Sequence, residues 1–230
     1  MITSAGERPT ISLDKLPRVA DNYVFIRVDG AYDDGDVYET KSGLKLILAG
    51  GEWEESTRAF RYGKVVAVPK RLRVQSETLS GMEWETDMDV EVGDTVYVGV
   101  MASANAVEVI VDQIKHYLID YGDLIMRIRN GVITPLNGYV IGEKIYEEKF
   151  EIEGLDIVQD DVLDRRKARV EFVGKPNRSY YKSDAVDAKV ELGDEIILGI
   201  AAFTELESHS FAELDRKLGY VQRRWVIGKE

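Results

Sequence analysis

His116 and His209 are the only imidazoles in this 230-residue sequence, and it contains no cysteine. Neither histidine has a second ligand at the i,i+4 spacing of a helical zinc site, and thiolate sites and disulfides are excluded outright. The acidic run Glu83–Glu91 reads as a solvated face. No catalytic residue, metal or cofactor is therefore expected. The stretch that points to chemistry is apolar: Glu39 to Arg58 reads ETKSGLKLILAGGEWEESTR. Leu46, Ile47 and Leu48 stand between Gly43 and Gly50-Gly51, with a charged, hydroxylated run beyond. Glycine pairs and mixed polar residues punctuate regular structure. Periodicity alone reads the triplet as a short buried strand, whereas its flanks read as a loop that carries three aliphatic side chains to a partner's groove.

Composition narrows the classes of partner. The chain is 44% hydrophobic and 31% charged, with a formal net charge of −12, which fits a folded, well-solvated protein. An acidic chain lacks the clustered Lys and Arg that phosphate binding needs, so no nucleic-acid partner is expected. No window reaches the roughly 18 apolar residues of a membrane span. The first twenty residues have neither the apolar run of a signal peptide nor the Arg-rich pattern of a transit peptide. The expectation is a cytoplasmic protein, or one of the host cytoplasm if the source is viral.

The elements that must position the triplet occur twice. VEVGDTVYVGVMA from Val90 and VELGDEIILGIAA from Val190 share residue types over their whole length, an internal repeat. YGKVVAVPK from Tyr62 answers KARVEFVGKP from Lys167, and NYVFIRVD from Asn22 answers GYVIGEKI from Gly138. The separation between copies shrinks from Tyr23/Tyr139 through Gly43/Gly154 to Gly93/Gly193, so the second copy has the shorter loops. Strands are predicted near Tyr23–Val28, Gly63–Val68, Thr95–Val100 and Leu124–Ile128. Their echoes lie near Tyr139–Ile141, Ala168–Val173, Glu195–Ile200 and Val221–Ile227. Short strands with close-set turns indicate an all-β protein of small barrels or sandwiches. Gly93-Asp94 and Gly193-Asp194 read as turns. Ser210-Phe211-Ala212-Glu213, with Leu214 and Leu218 at helical spacing, allows a short helix near the C-terminus. Two domains are expected: 1–130, with an N-terminal arm of about 1–19, and 131–230.

The order of these landmarks resembles the small co-chaperonin family of the GroES type. An opening strand, a long loop with ETKSG and an apolar triplet, STR before a GxVVAV strand, a hairpin, and VxVGD before another strand all fit. YLIDYGDLIMRI resembles that family's closing strand and ITPLNGYVIGEK its opening one. The resemblance spans nearly the whole chain as two tandem copies. It implies two GroES-like β-barrel domains that assemble with other copies and cap a chaperonin through flexible loops. Carried over by position, the chaperonin-binding loop comprises Gly43, Leu46, Ile47 and Leu48. In the second copy, EGLDIVQDD places Gly154, Leu155, Ile157 and Val158 in the corresponding loop, with Gln159 at the third position of the triplet. Alcohol dehydrogenases carry a domain of related fold, but their cysteine ligands and following GxGxxG are absent here.

Two functions follow from this resemblance. One is a tandem co-chaperonin that oligomerises into a cap, works with an ATP-driven chaperonin and hydrolyses nothing itself. The other is a structural or assembly oligomer that keeps the fold but no longer meets a chaperonin. The intact first triplet favours the former; Gln159 and the shortened second hairpin favour the latter.

Overall fold

The strand-forming stretches are rich in β-branched and aromatic residues with buried positions in sequence. In Tyr23–Arg27 the three central residues, Val24, Phe25 and Ile26, are all buried, as expected of a strand covered on both faces. The computed structural model describes residues 19, 22–28, 37–39, 45–47, 60–75, 83–111, 114–146, 163–176, 189–199, 202–206 and 218–229. These residues are mostly strand, arranged in antiparallel sheets with almost no helix, which makes the protein all-β. No helix among them is long and apolar enough to cross a membrane.

The described residues fall into two compact units. The first comprises those up to Leu72 together with Asp87–Asp123; the second comprises Arg73–Thr86 and those from Leu124 onward. In the first unit, β1 (Tyr23–Arg27), β4 (Tyr62–Ala67), β7 (Thr95–Val98), β8 (Val107–Val111) and β9 (Ile114–Asp120) lie in the order β7-β4-β1-β9-β8. In the second, β12 (Tyr139–Tyr146), β13 (Leu163–Val173), β14 (Glu195–Leu198), β15 (Thr204–Glu205) and β16 (Leu218–Gln222) lie in the order β14-β13-β12-β16-β15. The two orders are the same, element for element. Every pairing in them is antiparallel.

The duplication reaches the hydrogen-bond level. The register of β1 on β4 shifts between Phe25 and Ile26, and that of β12 on β13 shifts between Ile141 and Gly142, the matching positions. Such a bulge bends a strand and increases its twist. The Gly-Asp pairs are turns in both units. Gly93 (φ 97°) and Gly193 (φ 84°) occupy the left-handed region that favours glycine. Gly93 N–H donates to the Val65 carbonyl and Val65 N–H to that of Asp94, each within 2.9 Å; Val170, Gly193 and Asp194 repeat the pair. The Asp94 and Asp194 carboxylates each accept the N–H of the glutamate three residues earlier at 2.8 Å. This clasp fixes where β7 and β14 begin.

Two predicted strands end differently. The stretch Thr95–Val100 leaves the sheet at Val98, and Gly99 then caps a short helix, α1 (Val100–Asn105), with Ala102 N–H bonded to the Gly99 carbonyl. The stretch Val221–Ile227 is divided: β16 ends at Gln222, a 3-10 turn occupies Arg223–Trp225, and β17 (Val226–Lys229) pairs with β14 on the other side of the sheet. The first half has the same device, a 3-10 turn at Tyr121–Asp123 between β9 and β10 (Leu124–Arg129). Beyond β10, β11 (Val132–Pro135) pairs with it as a hairpin. The helix expected over Ser210 to Leu214 lies outside the described residues, and Leu218 opens β16, where it is buried.

Candidate functional site

Between the two central strands β1 and β4 the chain makes an excursion that contains β2 (Val37–Glu39) and β3 (Lys45–Ile47). Their backbones pair antiparallel, Val37 with Ile47, Tyr38 with Leu46 and Glu39 with Lys45. This hairpin is a two-stranded sheet of its own, as is the pair β5 (Arg71–Gln75) and β6 (Glu83–Asp87): among the described strands neither β2 nor β3 pairs with anything else. A lone two-stranded hairpin is marginally stable in water. Leu46 and Ile47 therefore sit on a strand, but on one outside the large sheets.

The excursion's roots are firmly held. Val28 is buried and donates to the Lys115 carbonyl at 3.3 Å. On the return side Phe60 packs its ring on Tyr117 with centroids 4.3 Å apart, and the Arg61 carbonyl accepts Val98 N–H at 2.8 Å. The hairpin thus lies between two chain positions, Val28 and Phe60, that are buried in the first unit. Gly43 and Leu48 lie outside the described residues.

The second copy's candidate residues, Gly154, Leu155, Ile157 and Val158, also lie outside the described residues. Topology places them in the corresponding connection, between the central strands β12 and β13. That connection is flanked by a longer ladder, since β12 and β13 remain paired out to Tyr146 and Leu163.

The remaining candidate chemistry is structural. His116 is fully buried on β9, stacked on Phe25 at 5.1 Å, and its Nδ1–H donates to the Ile114 carbonyl at 2.9 Å. Its Nε2 has no hydrogen-bond partner among the described residues, and full burial closes it to any substrate. His209 lies outside the described residues. Among those described, no group of three or more His, Asp or Glu is placed to hold a metal ion.

Two carboxyls are shifted in opposite directions. Asp194 is held below the ordinary aspartate value, first by the Glu191 N–H and then by Lys229, whose Nζ lies 3.0 Å away. Asp123 is pushed up by burial and by the neighbouring Asp120 carboxylate. Asp194 follows the turn at Gly193, and Asp123 closes the 3-10 turn that begins at Tyr121.

A surface that the sequence reading did not single out is β17. It pairs with β14 on one edge, and no described strand lies on the other. Ile227 is exposed on it, at 71%, and Trp225, in the 3-10 turn just before it, at 52%. No protein-family model matches the sequence, and no curated protein matches it.

Proposed function

We propose that the chain is a tandem co-chaperonin, with two GroES-like domains that assemble with other copies into a cap and engage a chaperonin through the β2–β3 hairpin. The observation that carries this reading is the hairpin's isolation: Leu46 and Ile47 belong to a two-stranded sheet outside the large sheets, on roots held by Val28, Phe60 and Arg61. Its resemblance to the family's loop, and the repetition of strand order in the second unit, support it further. The protein acts by binding rather than catalysis, in a cytosolic compartment, and needs no cofactor.

The energetics suit a reversible contact. Burying three aliphatic side chains contributes roughly 1.5–3 kcal/mol each, while ordering a backbone residue costs about 1–2 kcal/mol. The β2–β3 pairing reduces what remains to be ordered on docking. One hairpin still binds weakly, and several on one assembly bind usefully and release quickly. The second loop, with Gln159 at the triplet's third position, contributes less, because an unpartnered amide in an apolar groove costs roughly 1–3 kcal/mol.

The test is capture by a GroEL-type chaperonin in the presence of nucleotide. Replacing Leu46, Ile47 and Leu48 together by Ser abolishes capture, and replacing Ile157 and Val158 leaves it largely intact. A parent protein that no chaperonin captures leaves the assembly-only reading. Equal losses from the two replacements would mean that both loops engage.

A further inference from the structure

The sequence holds two Asn-Gly pairs, Asn130-Gly131 and Asn137-Gly138, one on each side of β11. Both are turns with positive φ at each central residue: 51° and 75° at Asn130 and Gly131, 48° and 75° at Asn137 and Gly138. Asn-Gly is the preferred pair for such a reversal, because asparagine tolerates the left-handed region and glycine has no Cβ to obstruct it. The missing Cβ also leaves the glycine nitrogen open to the asparagine side chain. The two turns are alike in residues and in φ, and they differ in surroundings. Asn130 and Gly131 are exposed, and a Cβ added to Gly131 would meet nothing within 4 Å. Asn137 is half-buried and Gly138 buried. The Asn137 Nδ2–H donates to the Leu124 carbonyl at 2.9 Å. Around it, Leu136 N–H bonds the Ile125 carbonyl and Tyr139 N–H the Leu136 carbonyl, each at 2.8 Å, and the Gly138 carbonyl accepts Arg223 N–H at 3.0 Å.

We propose that Asn130 is a site of spontaneous covalent modification, deamidation with isomerisation to isoaspartate, and that Asn137, the same dipeptide in the same kind of turn, is protected by the fold. The Gly131 backbone nitrogen gives up its proton and attacks Asn130 Cγ. An N–Cγ bond forms, the Cγ–Nδ2 bond breaks, and the side-chain nitrogen leaves with that proton as ammonia. Water then opens the cyclic imide, at one carbonyl to give aspartate or at the other to give isoaspartate, whose main chain runs through Cβ. Water is the only co-reactant. The attack requires the Asn130 carboxamide to swing over the next nitrogen, a local motion at an exposed hairpin tip beyond the Arg129–Val132 pair. At Asn137 the same motion must break the bond to Leu124 and shift a backbone pinned by its neighbours. Each such bond lowers the open population by a factor of a few to about ten, so conversion at Asn137 is expected to be at least about tenfold slower. Isoaspartate at 130 lengthens a two-residue turn by a backbone atom and adds a negative charge, which disturbs the register of β11 on β10 at the junction expected between the two halves.

The parent chain is incubated in mildly alkaline buffer, folded and in parallel in urea, and peptides covering the two pairs are followed by mass spectrometry. Enzymatic methylation of isoaspartate marks the isomerised product. In urea both pairs convert at similar rates, since their dipeptides are identical, and this sets the time scale. In the folded chain the mass gain of amide-to-acid conversion, and methylation with it, is expected at Asn130, with Asn137 lagging at least about tenfold. Conversion of Asn137 as fast as that of Asn130 in the folded chain would overturn the inference. So would a folded Asn130 that stays intact while the urea sample converts, or conversion without any methylatable product at 130.

Discussion

Gly142 faces the backbone of Arg169 so closely that a Cβ on the glycine would lie 2.5 Å from the Arg169 carbonyl oxygen. The contact sits at the bulge where β12 shifts register on β13. In the first unit the matching residue is Ile26, and the room is made by Gly63 across the ladder, whose added Cβ would meet Ile26 Cδ1 at 2.6 Å. Each copy thus meets the crowding at its bulge with one glycine, on opposite strands.

Gly142→Ala is therefore expected to destabilise the protein by about 1–3 kcal/mol, the usual cost of overpacking. The obstacle is main chain and cannot rotate away. Thermal denaturation read by circular dichroism checks this, and a melting temperature equal to the parent's would show that the bulge relaxes freely.

Ile125 and Ile227 occupy matching strand positions with opposite exposure, 1% and 71%. Ile125→Ala should cost about 2–5 kcal/mol as a core truncation, and Ile227→Ala within about 0.5 kcal/mol in the single chain. Urea titration at a concentration low enough to keep chains apart makes the comparison.

Asp194 gives acid sensitivity of defined sign. Its folded value is lowered by the Glu191 N–H first and then by Lys229. Its contribution is present above the unfolded aspartate value and is lost as pH falls through the folded one. Asp194→Asn should lower the melting temperature at neutral pH and converge with the parent in strong acid. Asp123, raised by burial and then by Asp120, behaves oppositely: its ionised form is a penalty at neutral pH that disappears on acidification. Asp123→Asn should raise the neutral melting temperature slightly. Parallel curves across pH for either variant would contradict these assignments.

The backbone amides of Tyr38 and Leu46, paired in the isolated hairpin, should exchange with deuterium through local opening. Those of Phe25 and Leu118, paired inside the five-strand order, should exchange only with unfolding of the unit. Hydrogen exchange resolved by NMR distinguishes the two. Equal protection would make the hairpin as firmly held as the sheet, against the proposed role.

The repeat was legible because VEVGD and VELGD specify a turn whose bonds are all local: glycine at positive φ and an aspartate reaching back three residues. The central strands were legible for a related reason, three consecutive apolar residues between punctuation. The division at Arg223–Trp225 was not, because VQRRWVI contains no glycine or proline to punctuate it, and nothing in its residue order reveals a 3-10 turn that carries the chain from one side of a sheet to the other. β8 and β15 fared similarly. They are edge strands with exposed residues such as Val107 and Glu205, so no buried face imposes an alternating pattern on them. For the hairpin, periodicity read Leu46, Ile47 and Leu48 as a short buried strand, and the structure has strand at Lys45–Ile47; whether a third strand joins is a property of distant sequence.

The ladder of β1 on β9 pairs Tyr23 with Asp120 and Arg27 with His116, and this has a consequence for synthesis. A chain leaving the ribosome can close β1 on β4 as soon as Ala67 has emerged, but β1's other edge must wait until the whole stretch through Asp120 is available. During that interval a half-built sheet presents Val24, Phe25 and Ile26 beside an unpaired edge, the kind of nascent species that aggregates. Slowing translation just after Asp120, when the missing ladder can form at once, should raise soluble yield. The same slowing placed between Ala67 and Val107 should lower it.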